Sequence, residues 1–235
     1  MKKKLYLIPT PLAADTLSSL PSHTIDIIHR LEVFIVEKAK TCRRFVSATK
    51  HPMPIHDLIF VELNKHDPVA NLPIIKSLFA DYDEVGFMSE AGCPGVADPG
   101  SEFVWQAHEK GIEVVPLVGP SSILLALMAS GLNGQNFQFH GYLSPKKDQL
   151  RRELLHLEKT SRPQYTTQIF IETPYRNRAM IEILFNSLHP DTKLCIAANI
   201  TGPDSYIRTY RIRQWKNIKL PDLHKIPCIF LIAGS

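Results

Sequence analysis

Five short apolar runs, each rich in β-branched or other strand-forming residues, recur through the first half of the sequence and constrain its fold more than any other feature. They occupy residues 5–8, 33–36, 58–61, 85–88 and 114–117. Helical patterns separate most of them, at residues 24–30, 39–47, 69–80 and 101–110. Because parallel strands need a long crossover connection, usually a helix, this alternation predicts a parallel α/β sheet with right-handed crossovers.

The second half of the sequence follows a less regular pattern. The pattern predicts a helix, a strand, a basic helix, a strand and a further helix at residues 121–130, 137–142, 148–159, 168–171 and 177–187. Two further strands, at 194–198 and 226–232, flank a polar stretch around Tyr206 and Tyr210 that is typical of a hairpin-like excursion. This order of elements favours a mixed α/β sheet.

The length of 235 residues is enough for two domains of about 115 residues each. We therefore predict two dissimilar α/β domains, the first over residues 1–117 with a mainly parallel sheet and the second over 118–235 with a mixed sheet. The join at Val118-Gly119-Pro120 is short, and no low-complexity linker separates the two halves. We accordingly expect a ligand cleft between the two domains.

The formal net charge of +4 conceals a difference between the halves. Residues 1–117 carry 12 basic and 15 acidic side chains, whereas residues 118–235 carry 15 and 8, a net charge of +7. The second half holds two basic clusters, Lys146, Lys147, Arg151 and Arg152 in one, and Arg208, Arg211 and Arg213 among aromatic residues in the other. Such clusters suit RNA or another anionic partner, although a solvated charged face gives the same pattern.

Cysteine spacing and hydropathy argue against several classes of protein. The four cysteines are far apart, with no histidines at metal-ligand spacing, so neither a disulfide framework nor a metal site is predicted. No apolar run approaches the roughly 20 residues that span a bilayer, and Pro9 and Pro11 break the apolar stretch near the start. We therefore expect a cytoplasmic protein with no membrane segment.

Three loops follow predicted strand ends, where open α/β sheets bind ligands. Pro9-Thr10-Pro11 offers a rigid wall and one hydroxyl group. Residues 89–100 contain three glycines and two prolines, which predict a stiff loop whose backbone can approach a ligand, with Asp98 as a helix cap. The third loop, residues 118–122, brings two serines to the start of a helix.

Glu172 lies at the end of a predicted strand, with Arg176 and Arg178 close behind it in the sequence. Two interpretations remain open for this carboxylate. It either forms a buried ion pair with an arginine, which would be structural, or it faces a cleft and orients or deprotonates a substrate.

Seven segments occur in an order and spacing that match one family almost from end to end. They are residues 5–12, 89–100, 115–122, 129–132, 141–143, 170–172 and 227–234. Together they resemble the tetrapyrrole methylase superfamily of S-adenosylmethionine-dependent methyltransferases. The resemblance is strongest to its ribosomal small-subunit RNA 2′-O-ribose methyltransferase I branch.

The resemblance implies a homodimer of two-domain subunits that uses S-adenosyl-L-methionine as methyl donor and no metal. It implies donor contacts around the methionine end from Pro9, Ser89, Glu90, Ala91, Gly92, Cys93, Pro94, Val96, Asp98, Ser121 and Ser122. On the adenosine side it implies Ile171, Glu172, Ala197, Ala198, Pro227 and Cys228. Backbone amides and hydroxyls suit a zwitterionic amino acid, and small apolar side chains suit adenine.

Methyl transfer from a sulfonium is an in-line displacement, so the protein must mainly align the donor and the nucleophile. A ribose hydroxyl also needs a base to take its proton, and the candidates are Glu172 and Glu37. A tetrapyrrole carbon would need no strong base.

The acceptor side of the sequence departs from the ribosomal branch. Ala13-Ala14 replaces the usual Gly-Asn, and Lys38-Ala39-Lys40 follows Glu37 where an Asp-Thr-Arg run is usual. The sequence thus predicts a methyltransferase that acts on RNA, at a ribose 2′-O position of ribosomal RNA. A tetrapyrrole-like small molecule, a protein side chain, or a binding module without catalysis remain the alternatives.

Overall fold

The computed structural model describes residues 2–63, 72–98 and 100–234. The chain divides into two units, Met1–Ser121 and Ser122–Ser235. This division falls slightly after the predicted join between residues 117 and 118. Each unit contains a five-stranded sheet, the first entirely parallel and the second mixed. The predicted fold class of two dissimilar α/β sheets is therefore confirmed.

The first unit alternates strands and helices. Its elements are β1 (Lys4–Ile8), α1 (Ser22–Arg30), β2 (Val33–Val36), α2 (Ala39–Ala48), β3 (Ile59–Glu62), α3 (Leu72–Asp81), β4 (Glu84–Met88), α4 (Ser101–Glu109) and β5 (Glu113–Pro116), with a 3-10 turn at Leu17–Ser19. The strand order is β3-β2-β4-β1-β5. Residues 69–71 of the predicted third helix lie outside the described residues.

The first sheet is covered by helices on both faces, which explains why its strands are continuous apolar runs. One core cluster joins Phe34 of β2 to Ile28 of α1 and Val46 of α2. A second joins Phe87 of β4 to Phe79 of α3 and Phe103 of α4. Helices α1 and α2 therefore pack on one face, and α3 and α4 on the other.

This arrangement creates a crevice at one edge of the sheet. The chain leaves β1 and β2 toward one face and leaves the neighbouring β4 toward the opposite face. Connections that diverge in this way open a space outside the carboxyl ends of the strands, which is where such sheets bind ligands.

The second unit begins with α5. Its elements are α5 (Ser122–Ser130), β6 (Phe137–Tyr142), α6 (Lys147–Gln164), β7 (Thr167–Glu172), α7 (Asn177–Ser187), β8 (Lys193–Ala198), β9 (Tyr206–Arg211), α8 (Ile212–Trp215) and β10 (Cys228–Ala233). The strand order is β6-β7-β10-β8-β9, and only β6 and β7 run parallel among its paired strands. The predicted hairpin-like excursion is β9, which pairs antiparallel with β8.

Helix α6 is longer than the sequence predicted. It continues five residues beyond Lys159 to Gln164, with Ser161 buried against the core, and Pro163 in its last turn removes only one helical hydrogen bond, the one to the Lys159 carbonyl. The buried carboxylate of Glu158 holds this end of the helix, since its Oε1 accepts hydrogen bonds from the His189 N–H at 2.8 Å and from the Thr192 hydroxyl.

The core of the second unit is built around aromatic side chains. Phe170 of β7 stacks on Phe230 of β10 with ring centroids 5.8 Å apart. Trp215 is fully buried, and its indole N–H donates to the Leu194 carbonyl at 2.9 Å. Within the described ranges, no helix is both long and apolar enough to cross a membrane.

We predict that Gly100→Ala destabilises the first unit by about 2 to 4 kcal/mol. The backbone at Gly100 has a φ of 135°, and an added Cβ would lie 2.4 Å from Cζ of the buried Phe87. Urea unfolding measures the change. Gly111→Ala is the matched control, because its φ of 66° is also positive but open space surrounds it, so it should cost only about 1 to 2 kcal/mol. Equal losses for the two variants would contradict the packing argument.

Candidate functional site

Two of the predicted loops are joined by main-chain hydrogen bonds at the carboxyl edge of the first sheet. The Thr10 N–H donates to the Gly92 carbonyl at 2.9 Å, and the Gly92 N–H donates back to Thr10 at 3.0 Å. The Ser89 hydroxyl also donates to the Gly92 carbonyl, at 3.1 Å. The chain therefore brings Pro9 and Ser89 together with Gly92.

The third loop reaches the same place. An added Cβ at Gly119 would lie only 2.3 Å from Cβ of Pro9, so the two backbones approach more closely than a side chain allows. The Cys93 thiol lies 3.5 Å from the Pro120 carbonyl, directly before Ser121. All three loops that the sequence singled out thus meet within the first unit.

A cavity of about 550 Å³ opens beside this junction, within the range of small-molecule sites. Its lining combines three segments that follow β1, β2 and β4. They are residues 10–17, residues of α2 (Thr41, Cys42, Arg44, Phe45 and Ala48), and residues 89–91. Sequence reasoning named Ser89, Glu90 and Ala91 but missed α2. A signal in the sequence could have predicted the part played by α2. Helix α2 begins directly after β2, so its first turns face the crevice.

Carboxylates collect on the α2 side of the cavity. The Thr41 hydroxyl donates to Oε1 of Glu90 at 3.3 Å. Glu37 is buried at the end of β2. Burial, with smaller contributions from the nearby carboxylates of Glu90, Glu37 and Glu62, raises the pKa of the Cys42 thiol to about 12. Cys42 therefore lines the cavity as a neutral, unreactive thiol.

The loop of residues 89–100 continues into α4. The N-cap residue of α4 is Gly100, so the predicted capping role of Asp98 is wrong, because Asp98 lies two residues before the capping position. Pro94, Val96 and Asp98, which were predicted to contact the methyl donor, lie in this loop. Whether they touch a donor remains a prediction.

The predicted adenosine-side residues occupy two adjacent rows of the sheet in the second unit. Cys228 at the start of β10 lies opposite Glu172 of β7 and opposite Ala198 of β8. The next positions repeat the pattern, since Ile229 lies between Ile171 and Ala197. Three segments that are distant in sequence thus become neighbours across the sheet, with Pro227 directly before the first row.

Glu172 forms the structural ion pair that the sequence left open. Its side chain is buried, and its Oε2 lies 3.3 Å from a guanidinium nitrogen of Arg176. Its Oε1 accepts from the Thr173 N–H at 2.7 Å and from the Thr173 hydroxyl at 3.2 Å. These contacts hold the carboxylate in place.

The two basic clusters differ in what their charges already contact. Asp191 binds the second cluster, with its Oδ1 2.7 Å from Arg213 and 3.7 Å from Arg211. Arg208 lies against the Tyr206 ring and donates to the Ile207 carbonyl. The first cluster, Lys146, Lys147, Arg151 and Arg152, is exposed at the start of α6.

All four cysteines are free thiols. Among residues 2–63, 72–98 and 100–234, no group of three His, Cys, Asp or Glu side chains is placed to hold a metal ion.

Comparison with known proteins identifies a family. A model of the tetrapyrrole (corrin/porphyrin) methylases matches residues 4–215. The chain is 28% identical over 201 residues to the ribosomal RNA small subunit methyltransferase I of Vibrio cholerae, covering 84% of this chain and 65% of that protein. It is 30% identical over 184 residues to the protein of the same name from Bacillus subtilis, covering 77% and 59%. The chain thus spans less than two thirds of these relatives' length.

Solved structures support the same fold. A crystal structure of diphthine synthase has a TM-score of 0.67 and 14% identity, with 98% of this chain and 90% of that chain covered. A crystal structure of the methyltransferase CobJ has a TM-score of 0.64 and 17% identity, with 100% and 95% covered. At these identities the likeness concerns the fold alone.

We predict that the native protein reacts slowly with thiol reagents at about pH 8. Burial raises the pKa of Cys228 to about 12 and of Cys195 to about 11, and it also raises that of the half-buried Cys93. Neutral thiols are poor nucleophiles, so the rate should climb as pH rises toward these values. Ellman's reagent measures it, with the unfolded protein as the control for four thiols. Fast reaction of a Cys93→Ser variant would contradict this prediction.

We predict that Arg176→Met lowers the free energy of unfolding by about 1 to 3 kcal/mol, since it leaves the buried Glu172 carboxylate without its cation. The control is Arg178→Met, because Arg178 pairs with Glu182 at 3.4 Å in an exposed position. That variant should change stability by no more than about 0.5 kcal/mol. Chemical denaturation compares the two, and equal stabilities would argue that the Glu172 ion pair is not structural.

Proposed function

We propose that this chain, which belongs to the tetrapyrrole methylase family, is an S-adenosylmethionine-dependent methyltransferase that acts on RNA. The observation that carries the proposal is the junction of three loops beside a cavity at the carboxyl edge of the first sheet. The names of the curated relatives favour small-subunit ribosomal RNA as the acceptor and point to the same class of reaction.

The residues at the junction fit the chemistry of the donor. Ser89 and Thr10 supply hydroxyl groups, and the loop after β4 supplies backbone groups for a zwitterionic amino acid. The Glu90 carboxylate lines the cavity next to them and suits a nearby sulfonium charge. When bound, S-adenosylmethionine supplies an electrophilic methyl group.

The protein's part in the reaction is alignment and proton removal. The chain's residues would hold a ribose hydroxyl in line with the donor's methyl group and would accept the proton that the hydroxyl loses. Of the two predicted bases we favour Glu37, because it is buried at the end of β2 and its charge acts on Cys42 in the cavity wall.

The acceptor is proposed to enter along the part of the cavity formed by residues 13–17 and α2. Ala13 and Ala14 in this lining are a point at which the sequence departs from the ribosomal branch, so they would help to set this chain's own acceptor preference. Arg44 supplies a cation there for a phosphate or another anionic group.

We also propose that the protein is a cytoplasmic homodimer. Leu124 and Met128 lie one turn apart on α5 and are 53% and 80% exposed. A second copy that covered this apolar face would remove both side chains from water.

The test combines donor calorimetry with a methylation assay. Wild-type protein should bind S-adenosylhomocysteine and transfer tritiated methyl groups to ribosomal RNA from a strain that lacks the gene. Glu37→Gln should lower the turnover number by about 10² to 10⁴ with unchanged donor affinity, because only proton removal is lost. Glu32→Gln, an exposed position at the other end of β2, should leave both unchanged.

Each outcome separates one part of the proposal from the others. Absence of donor binding would favour a binding module without catalysis. Donor binding with no methyl transfer to RNA would leave a small anionic ring or a protein side chain as acceptor. Full turnover by Glu37→Gln would exclude Glu37 as the base.

A further inference from the structure

We infer that the carboxyl edge of the parallel pair β6 and β7 is a binding surface for single-stranded RNA, with Tyr175 as the platform on which a base stacks. This inference rests on the proposed function, which names RNA as the acceptor. It assigns the contact to a different set of residues from the cluster around Arg208, Arg211 and Arg213. We call this edge the Tyr175 surface; it comprises Tyr142, Lys146, Tyr175, Arg176, His224 and Lys225.

Tyr175 is an aromatic ring held in position but left open to solvent. It is 70% exposed, in the turn between β7 and α7. The His224 ring meets it edge-on with centroids 5.9 Å apart, and Nζ of Lys225 lies 5.8 Å from its centroid. These neighbours contact the ring but leave most of it open, as a stacking platform for a nucleobase requires.

Lys225 occupies a costly backbone position beside this ring. Its φ is 62°, in the left-handed region that favours glycine or asparagine, and its N–H donates to the Pro174 carbonyl at 3.1 Å. The strained turn places a cation next to the exposed ring, where a stacked nucleotide would bring its phosphate.

Two helices begin at this edge with cations where anions are normally found. The N-cap residue of α6 is Lys146, and that of α7 is Arg176; neither side chain caps its helix. The Arg176 guanidinium donates to the Pro145 carbonyl at 3.2 Å, which brings the two helix starts together. Glu172 compensates the charge of Arg176, whereas the Lys146 side chain lies beside the positive end of the α6 dipole, where a bound phosphate would be favourable.

A second exposed aromatic ring lies on the same edge. Tyr142 is the last residue of β6, is 61% exposed and pairs in register with Ile171 of β7. Acidic groups are also present, namely Asp148 in the first turn of α6, Glu182 paired with Arg178, and Asp222, whose Oδ1 accepts from the His224 N–H. Arg176 is paired with Glu172, but Lys146 and Lys225 form no ion pair with any residue that the structure describes. Aromatic rings beside such cations match RNA better than a peptide or a free anion.

The test measures binding of a fluorescein-labelled single-stranded RNA 12-mer by fluorescence anisotropy. Tyr175→Ala should weaken binding about tenfold or more, since one base loses its stacking partner, and Tyr175→Trp should retain the affinity of the wild type. Lys225→Gln should lower the slope of log affinity against log salt by about 0.7, the loss of one phosphate contact. Thermal unfolding verifies that each variant is folded.

Matched controls come from the opposite edge of the same sheet. Tyr165 is 77% exposed just before the amino end of β7, and Lys193 is exposed at the amino end of β8. Tyr165→Ala and Lys193→Gln should bind the RNA as the wild type does. An abasic oligomer of the same length keeps the phosphates but has no base, so Tyr175→Ala should not alter its binding.

The controls also separate this inference from the proposed function. Equal RNA affinity of Tyr175→Ala and Tyr165→Ala, or no binding of the RNA by the wild type, would overturn the Tyr175 surface. So would an equal loss of affinity for the abasic oligomer. Calorimetry with S-adenosylhomocysteine is run on the same variants, and donor binding that persists shows that the proposed methyltransferase function has not failed with it.

Discussion

The reciprocal main-chain hydrogen bonds between Thr10 and Gly92 are the interaction on which the site in the first unit depends. Parallel strands deliver all their following loops to one edge, but the loops themselves are free to diverge. This bridge ties the loop after β1 to the loop after β4, and the close approach of Gly119 to Pro9 ties in the third. Because these loops contact one another instead of extending separately into solvent, the wall of the cavity has a defined shape.

Much of this architecture could be predicted from the sequence because it follows from local rules. Strands buried on both faces must be apolar throughout, so β1, β2 and β4 were found close to their observed bounds. The resemblance likewise placed Glu172, Ala198 and Cys228 in one group, and the register of β7, β10 and β8 sets them side by side. Order and spacing of motifs carried this information even though each motif alone was weak.

The rest depended on contacts that no local pattern encodes. The pairing of Arg211 and Arg213 with Asp191 joins residues about twenty positions apart, and it changes which basic cluster remains available. The part of the cavity wall that α2 forms could not be predicted, because predicting it requires knowing on which face of the sheet that helix packs. Asp98 was assigned as a cap from its residue type, whereas the position of Gly100 in the backbone decides where α4 starts.

The burial of Trp215 has a spectroscopic consequence. The chain contains two tryptophans, one in each unit. Trp105 on α4 is 59% exposed, so its indole already emits from a largely aqueous environment in the folded protein. Trp215 is buried and hydrogen-bonded, and only its emission must change when its surroundings are lost. Intrinsic fluorescence is therefore a reporter of the second unit, and the first unit needs another probe to be followed separately.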